Sequence, residues 1–186
     1  IRYLHREHPG RRVYLVATPS YEQEVREGGV PLATGREDAD LAVLAFDTGL
    51  TFQKLVVLCD IVRDGKPFVA THPDFNCPVD GGYIPDVGSF LALVHASTGR
   101  RPDAVIGKPG YGTFVETACQ GTPMLYAARP DWPEQEPLVR WLLAHGRALE
   151  VPDAALRSGE LAGVLQALWR QPAKPPDRSP DHRDHG

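Results

Sequence analysis

Lys108, Gly110 and Gly112 are residues whose types and spacing suit chemistry on an anion. They lie between a short apolar run at 103–107, which the pattern predicts as a buried strand, and a helical segment at 113–120. A strand, a glycine-rich loop and a helix in this order direct unpaired backbone N–H groups and the positive end of a helix to one point. Because the lysine adds a full positive charge, the loop predicts a site for a phosphate or a similar anion.

A second interpretation of the same segment needs no ligand. Thr113 and Glu116 have the three-residue spacing of a capping box, which satisfies N–H groups at a helix start and stabilises by about 1 kcal/mol. The loop also matches neither the dinucleotide fingerprint nor the Gly-Lys-Ser/Thr order of a P-loop. From the residues alone, the anion site and the helix cap stay open as alternatives.

The elements that must position this loop are visible as short runs rich in Val, Leu and Ile. These runs occupy residues 13–17, 41–46, 68–70, 104–107 and 124–127. Helical patterns occupy residues 21–27, 52–63, 89–97, 113–120, 133–145 and a last segment that Asp153 can cap. Such alternation predicts an α/β fold with a mainly parallel sheet flanked by helices.

Composition excludes several function classes. The 186 residues are 42% hydrophobic and carry a formal net charge of −4, so no nucleic acid is expected as a partner. No apolar run approaches the roughly 20 residues that span a bilayer, so no membrane is expected either. Cys59, Cys77 and Cys119 are widely spaced and lack a C-x-x-C pattern, which argues against disulfides and structural zinc and favours a cytoplasmic location. The first residue is Ile1 rather than Met, which is compatible with a missing upstream part.

A first family resemblance is carried by residues 12–17, 68–78, 84–90 and 98–109. Through these segments the chain resembles the cap and returning segment of haloacid-dehalogenase-type phosphatases with a large α/β cap, which include 4-nitrophenyl, sugar-phosphate and nucleotide phosphatases. The resemblance implies a cap-type α/β domain over residues 1–102. It also implies a small phosphorylated metabolite as the partner and a homodimer formed through the cap.

The same resemblance assigns roles to three residues. Lys108 takes the catalytic task of neutralising the substrate phosphate and the nucleophilic aspartate. Asp74 and Asn76 lie on the cap loop that contacts the leaving group. The nucleophile and the ligands for the Mg²⁺ ion of the parent family come from an Asp-x-Asp motif after the first core strand and a later Gly-Asp motif, and neither is present in this chain. Because hydrolysis needs an in-line carboxylate, we expect an inactive phosphatase fragment.

Two aspartate patterns mimic the missing motif. Asp47 follows an apolar run, but the position two residues later is Gly49, so a second carboxylate is lacking. Asp38 and Asp40 have the right spacing but precede their strand. The phosphatase resemblance also places Asp47 in the cap, and we interpret Asp38 and Asp40 as part of a solvated loop.

A second resemblance is carried by residues 108–116, 121–126 and 129–135. Residues 103–170 resemble the C-terminal end of glycosyltransferases that use a nucleotide-sugar, which implies a partial Rossmann-like βα unit. The implied donor contacts are Gly110, Gly112 and Thr113 at the diphosphate, Glu116 near the ribose, and Glu134 and Gln135 at the sugar, with Trp132 packed beside it. Without the resemblance, Glu134 and Gln135 are ordinary residues at the start of a helix behind Pro133.

Both families have a similar sequence motif near residues 103–110, so an in-frame crossover between two such genes at this motif would give this chain. The leading interpretation is a fragment or chimera of a haloacid-dehalogenase-type phosphatase. A nucleotide-sugar-binding fragment and a non-catalytic α/β module stay open as alternatives. The segment at 171–186 holds four prolines among charges and predicts a disordered tail.

Overall fold

The computed structural model describes residues 1–107, 110–129 and 131–174. The strands, in chain order, are β1 (Val13–Val16), β2 (Leu41–Leu44), β3 (Phe68–Ala70), β4 (Asn76–Val79), β5 (Gly82–Pro85), β6 (Ala104–Gly107), β7 (Met124–Ala127) and β8 (Ala148–Val151). The helices are α1 (Arg2–Glu7), α2 (Pro19–Glu27), α3 (Phe52–Arg63), α4 (Val87–Thr98), α5 (Tyr111–Gln120), α6 (Gln135–His145), α7 (Asp153–Ser158) and α8 (Ala162–Arg170).

Six strands form one parallel sheet in the order β1-β2-β3-β6-β7-β8. The first three strands are buried along their whole length, which is typical of a parallel sheet covered by helices on both faces. The predicted α/β fold with a mainly parallel sheet flanked by helices is therefore confirmed. Strands β4 and β5 form a separate antiparallel hairpin.

Side chains alternate along each strand, so the sheet has two apolar faces. Val16 and Leu44 point to the face covered by α3 and α4, and Tyr126 continues that face beneath α5 and α6. Leu15 and Val43 point to the opposite face, which α1 and α2 cover at one end and α7 and α8 at the other. Each helix therefore packs through its apolar stripe against the sheet.

Local signals explain where several helices begin and end. The Thr51 hydroxyl accepts from the N–H of Lys54 at 3.2 Å and begins α3, while the Asp86 carboxylate accepts from the N–H of Val87 at 2.7 Å and begins α4. The sequence predicted one last helix after Asp153, but the chain forms α7 and α8. Gly159 separates them because its φ of 80° is left-handed.

Strand β3 pairs with β6 through Val69 opposite Ala104 and Ala70 opposite Val105. Strands from both sides of the predicted boundary at residue 102 therefore belong to one sheet. The Asp103 carboxylate also accepts from the N–H of Phe68 at 2.9 Å. The domain division at residues 102 and 103 concerns independent folding and stays a prediction. Of the predicted tail, Gln171 donates to the carbonyl of Ala148 at 3.0 Å, and residues 175–186 lie outside the described residues.

Within the part of the chain that the structure describes, no helix is long and apolar enough to cross a membrane.

Candidate functional site

The loop after β3 and the first turns of α5 meet at the carboxyl edge of the sheet. Parallel sheets bind ligands in the crevice at this edge, because the connecting loops there are free to carry polar groups. The β3 loop contributes residues 71–75, and α5 starts beyond the carboxyl end of β6. Segments of the two family resemblances therefore come into contact at this point.

Three α5 side chains reach the β3 loop. The Thr113 hydroxyl donates to Asp74 Oδ1 at 2.7 Å, and the N–H of Phe75 donates to Glu116 Oε2 at 2.9 Å. Gln120 adds a longer contact, from Nε2 to the carbonyl of Pro73 at 3.5 Å. Positions 113, 116 and 120 lie on one side of a helix, so a single face of α5 holds the loop.

These contacts replace the capping box that the sequence allowed. Helix α5 begins at Tyr111, and its N-cap residue is Gly110, whose backbone is extended and which provides no side-chain cap. Thr113 therefore lies inside the first turn, and Glu116 binds Phe75 rather than the start of its own helix. The capping-box interpretation is wrong, because the helix starts earlier than the pattern suggested.

The other side of the loop is held by α4. The N–H of Gly88 donates to the carbonyl of Asp74 at 2.8 Å, and the Ser89 hydroxyl donates to the carbonyl of Phe75 at 2.8 Å. A Cβ at Gly88 would lie 2.0 Å from the carbonyl oxygen of Pro73, so only glycine permits this approach. Helices α4 and α5 thus fix the loop from both sides.

Acidic groups cluster around the same loop. Asp86 is 7% exposed, and His72 lies between two carboxylates, with Nε2 at 3.5 Å from Asp86 Oδ1 and Nδ1 at 3.7 Å from Asp74 Oδ2. The buried Nδ1 atom of His72 has no hydrogen-bond partner among the described residues. Neither His72 nor Asp86 was singled out from the sequence, although an Asp directly before a helical pattern is a known N-cap signal.

Glu116 is the titratable group of this cluster with a large perturbation. Partial burial raises the pKa of its carboxyl to about 7, since removal from water disfavours the charged form. The hydrogen bond from the Phe75 N–H opposes this shift, while the nearby charges of Asp74 and Asp86 add to it. A carboxyl group with such a pKa can hold or release a proton near neutral pH.

The structure describes two of the three site residues that the phosphatase resemblance predicts. Asp74 is half-buried and bound to Thr113, whereas Asn76 begins β4 and is exposed. Lys108, the residue with the predicted catalytic role, lies outside the described residues. The contact of Asp74 and Asn76 with a leaving group and the task of Lys108 therefore stay predictions.

The predicted donor residues fall into two groups. Thr113 and Glu116 bind the β3 loop, and Gly112 has open space where a side chain would stand. Gln135 begins α6, and its Oε1 accepts from the N–H of Arg129. Glu134 precedes α6 without capping it by a side-chain hydrogen bond.

Aromatic side chains lie beside the second group. Tyr111 and Trp132 pack edge to face with ring centroids 6.4 Å apart, and the Arg129 guanidinium lies 5.5 Å from the Trp132 ring centroid. Both contacts have the geometry of favourable aromatic and cation–π pairs. They place Trp132 between the α5 start and the α6 start.

Asp47 is not free to act as a nucleophile. Its side chain has no exposed surface, and Oδ2 accepts from Lys54 Nζ at 2.6 Å while Oδ1 accepts from the N–H of Gly49 at 2.8 Å. Lys54 Nζ also donates to the carbonyl of Ala17 at 3.3 Å, which ties the ends of β1 and β2 to α3. The structure thus gives Asp47 a structural role.

Asp38 and Asp40 precede β2 and therefore lie at its amino end, away from the candidate site. Asp38 accepts from the N–H groups of Thr34 and Gly35, which lower its pKa. Asp40 accepts from the N–H of Arg12 at 2.8 Å. The loop that was predicted to be solvated is thus a hydrogen-bonded turn in which Asp38 is partly buried and Asp40 is exposed, while Ala39 between them is buried.

Magnesium chemistry does not fit the residues that the structure describes. They include no group of three or more His, Cys, Asp and Glu side chains placed to hold a metal ion. In the acidic cluster, the carboxylates of Asp74, Asp86 and Glu116 each accept a hydrogen bond from Thr113 or a backbone N–H.

Comparisons with known proteins point to one group of enzymes. The chain is 31% identical over 107 residues to an acid sugar phosphatase of Staphylococcus epidermidis and 35% identical over 97 residues to the 5'-nucleotidase YutF of Bacillus subtilis. About half of this chain is similar to haloacid-dehalogenase-type phosphatases. The matches cover 58% and 52% of this chain but 40% and 37% of the relatives, so the chain spans well under half of their length.

Solved structures agree with this similarity. The fold matches a 4-nitrophenylphosphatase of Thermotoga maritima with a TM-score of 0.53 and 28% identity, over 69% of this chain and 60% of that chain. A p-nitrophenyl phosphatase of Archaeoglobus fulgidus has a TM-score of 0.54 at 16% identity, which shows the fold alone, over 89% of this chain and 70% of that chain. No family model matches the sequence. None of these four proteins is a glycosyltransferase, so they give the glycosyltransferase resemblance no support.

Proposed function

We propose that this chain carries the cap of a haloacid-dehalogenase-type phosphatase, binds the leaving-group part of a small phosphorylated metabolite, and does not hydrolyse it. The observation that supports the proposal is the β3 loop, which α4 and α5 hold from both sides while Asn76 stays exposed beside it. A loop that is fixed in this way presents polar groups in a defined arrangement. The names of the relatives suggest sugar phosphates or nucleotides as the metabolite class.

The lack of hydrolysis follows from the chemistry that the reaction needs. A phosphate monoester is cleaved by a nucleophilic carboxylate in line with phosphorus, an acid for the leaving oxygen and a cation for the equatorial oxygens. The sequence contains no strand followed by Asp-x-Asp, and Asp47 is fully occupied by Lys54 and Gly49. Lys108 supplies a charge but cannot attack phosphorus.

Hydrolysis of 4-nitrophenyl phosphate with magnesium tests this part of the proposal. The chain should release nitrophenol no faster than its Lys108→Ala variant. Turnover well above that variant would show that a nucleophile is present and would overturn the assignment.

Ligand binding tests the other part. A sugar phosphate that binds the folded chain should raise its melting temperature by mass action, and Asn76→Ala should reduce the shift because Asn76 is exposed and its loss leaves the core intact. Gln166→Ala, an exposed amide on α8, is the matched control and should leave the shift unchanged. Equal shifts in both variants would remove Asn76 from the site.

A nucleotide-sugar site is the second candidate function. The contacts among Tyr111, Trp132 and Arg129 favour it, since a flat base or sugar can pack on such aromatic groups. On this proposal the chain is a chimera whose C-terminal part keeps a donor-binding surface. If neither ligand class binds, a non-catalytic α/β module is the remaining interpretation.

The proposal includes a homodimer formed through the cap. The exposed Tyr83 on the hairpin of β4 and β5, with 76% of its surface free, is an apolar group that a second copy could cover. Light scattering of the purified chain measures the mass directly. A monomer at high protein concentration would contradict this part of the proposal.

A further inference from the structure

The contact between α5 and the β3 loop brings together groups that share one charge environment. Thr113 donates to Asp74, and Glu116 accepts from the N–H of Phe75. We name these two hydrogen bonds the α5 latch. The partners are 39 and 41 residues apart in the chain, so the latch holds two distant segments together.

The charged and titratable groups around Glu116 come from two elements besides α5 itself. Asp74 lies on the β3 loop and Asp86 lies at the start of α4, and His72, on the same loop, lies between these two aspartates. Both aspartates act on Glu116 through their charges. Three carboxyl groups thus share a partly buried space, where like charges repel more strongly than in water.

We propose that the α5 latch is a pH-sensitive device, in which ionisation of Glu116 beside Asp74 and Asp86 weakens the hold of α5 on the β3 loop. At low pH the neutral carboxyl group of Glu116 accepts the Phe75 N–H without repelling the two aspartates. At high pH the third negative charge is both poorly hydrated and repelled, and these costs outweigh the stronger hydrogen bond that the ionised carboxylate accepts from Phe75, so the loop detaches more often. The contact is the hydrogen bond between Glu116 and the Phe75 N–H, and the repulsion comes from Asp74 and Asp86.

The direction and the range follow from the pKa. The folded-state pKa of about 7 lies above the reference value of 4.5, so Glu116 favours the closed latch fully below about pH 4.5 and loses this contribution as the pH rises through about 7. Opening of the loop should therefore increase between about pH 6 and about pH 8. The device would act within a physiological range.

The α5 latch is independent of any catalytic role of the loop. It concerns the position of residues 73–75 and needs neither substrate nor turnover. Its failure would leave the proposed cap function in place, and the converse also holds. If the cap function is correct, binding through Asn76 would become pH-dependent as a consequence.

Hydrogen–deuterium exchange measures the latch directly, because the Phe75 amide is itself a donor in it. We expect exchange of a peptide that covers residues 73–78, after correction for the intrinsic rate, to rise by up to about tenfold from about pH 6 to about pH 8. A peptide from α6 in the same sample is the internal reference and should show no such rise. These measurements use the unmodified full chain.

Three variants separate the charge from the hydrogen bond. Glu116→Gln keeps an oxygen acceptor but cannot ionise, so exchange at residues 73–78 should stay slow and independent of pH. Glu136→Gln, an exposed side chain on α6, is the matched control and should behave like the original chain. Thr113→Val removes the hydrogen bond to Asp74 and should speed exchange at both pH values.

Two exchange results would overturn the proposal. Corrected exchange at residues 73–78 that is flat from about pH 6 to about pH 8 in the original chain would do so without any variant. A rise that persists unchanged in Glu116→Gln would assign the effect to another group. If Glu116→Gln fails to fold, the pH profile of the original chain against its α6 reference decides alone.

Discussion

Asp47 illustrates how a buried charge is tolerated. Its carboxylate has no exposed surface and is neutralised by Lys54, whose Nζ also binds the carbonyl of Ala17. Removal of one partner from a buried pair leaves an uncompensated charge, which is far more destabilising than loss of an exposed pair. The role of this pair is thus to join the ends of β1 and β2 to α3.

A substitution of Lys54 tests this role. Lys54→Met should lower the free energy of unfolding by about 2–4 kcal/mol, somewhat below the range for a fully buried pair because Lys54 is 28% exposed. Arg140→Met removes an exposed pair with Glu136 and should have little effect. Denaturant unfolding compares the two, and equal small losses would show that Asp47 finds water or another donor.

The aromatic contacts at Trp132 carry the prediction for nucleotide binding. If Gly110 and the following turn hold a diphosphate, millimolar uridine diphosphate should raise the melting temperature by several degrees. Lys108→Ala should weaken the shift by removing a charge, and Trp132→Ala should weaken it by removing a packing surface. A shift indifferent to both changes would leave these residues without a binding role.

At the scale of elements, α4 and α5 differ in what they require of a glycine. Gly88 in α4 packs against the Pro73 carbonyl, where a Cβ would lie at 2.0 Å, whereas Gly112 in α5 has nothing within 4 Å. Gly88→Ala should therefore displace the β3 loop and lower the free energy of unfolding by about 1–3 kcal/mol. Gly112→Ala should raise it by up to about 1 kcal/mol, because alanine favours the helix.

Thermal unfolding of the two alanine variants checks this contrast. Gly112→Ala has a second use, since a backbone that approaches a diphosphate closely needs a glycine. A stable Gly112→Ala chain that no longer shifts with uridine diphosphate would favour the donor site. A chain in which Gly88→Ala has no effect would show that α4 can move away from the loop.

The elements that the sequence predicted well are the buried ones. Five apolar runs became strands in the main sheet, because a strand that is buried on both faces must be apolar throughout. The hairpin of β4 and β5 was missed, since its residues are mostly exposed, although Asp80 and Gly81 at its turn are a recognised hairpin signal. Strand β8 was missed because Ala148–Val151 mixes a charged residue with apolar ones.

The contacts of the candidate site could not be predicted from the sequence. Thr113 and Glu116 were singled out from local spacing, yet both bind residues about forty positions away. A local pattern fixes which side of a helix a residue lies on, but it carries no information about which loop will face that side. The cluster of three carboxyl groups, Asp74, Asp86 and Glu116, with His72 beside them could therefore be recognised only in the folded structure.

At the scale of the whole molecule, contacts of the first helix with the last two helices bear on the two predicted domains. Glu7 Oε1 accepts from the N–H groups of Leu161 and Ala162 at the start of α8, and Arg2 donates to the carbonyl of Arg157. In addition, β3 would become an exposed edge without β6. Residues 1–102 thus have their own core but also share part of it.

Truncation tests whether those residues form an independent domain. Residues 1–102 should fold cooperatively, because β1, β2 and β3 with α1 to α4 bury one apolar cluster among themselves and all of a second cluster except Val105. Their melting temperature should lie below that of the full chain, since Val69 and Ala70 lose the cover of β6 and the unpaired edge favours association. Circular dichroism over a temperature ramp measures this. A fragment without a cooperative transition would show that residues 1–102 do not fold on their own. The six-stranded sheet, from β1 to β8, would then be the smallest folding unit, and the predicted domain boundary between residues 102 and 103 would be wrong.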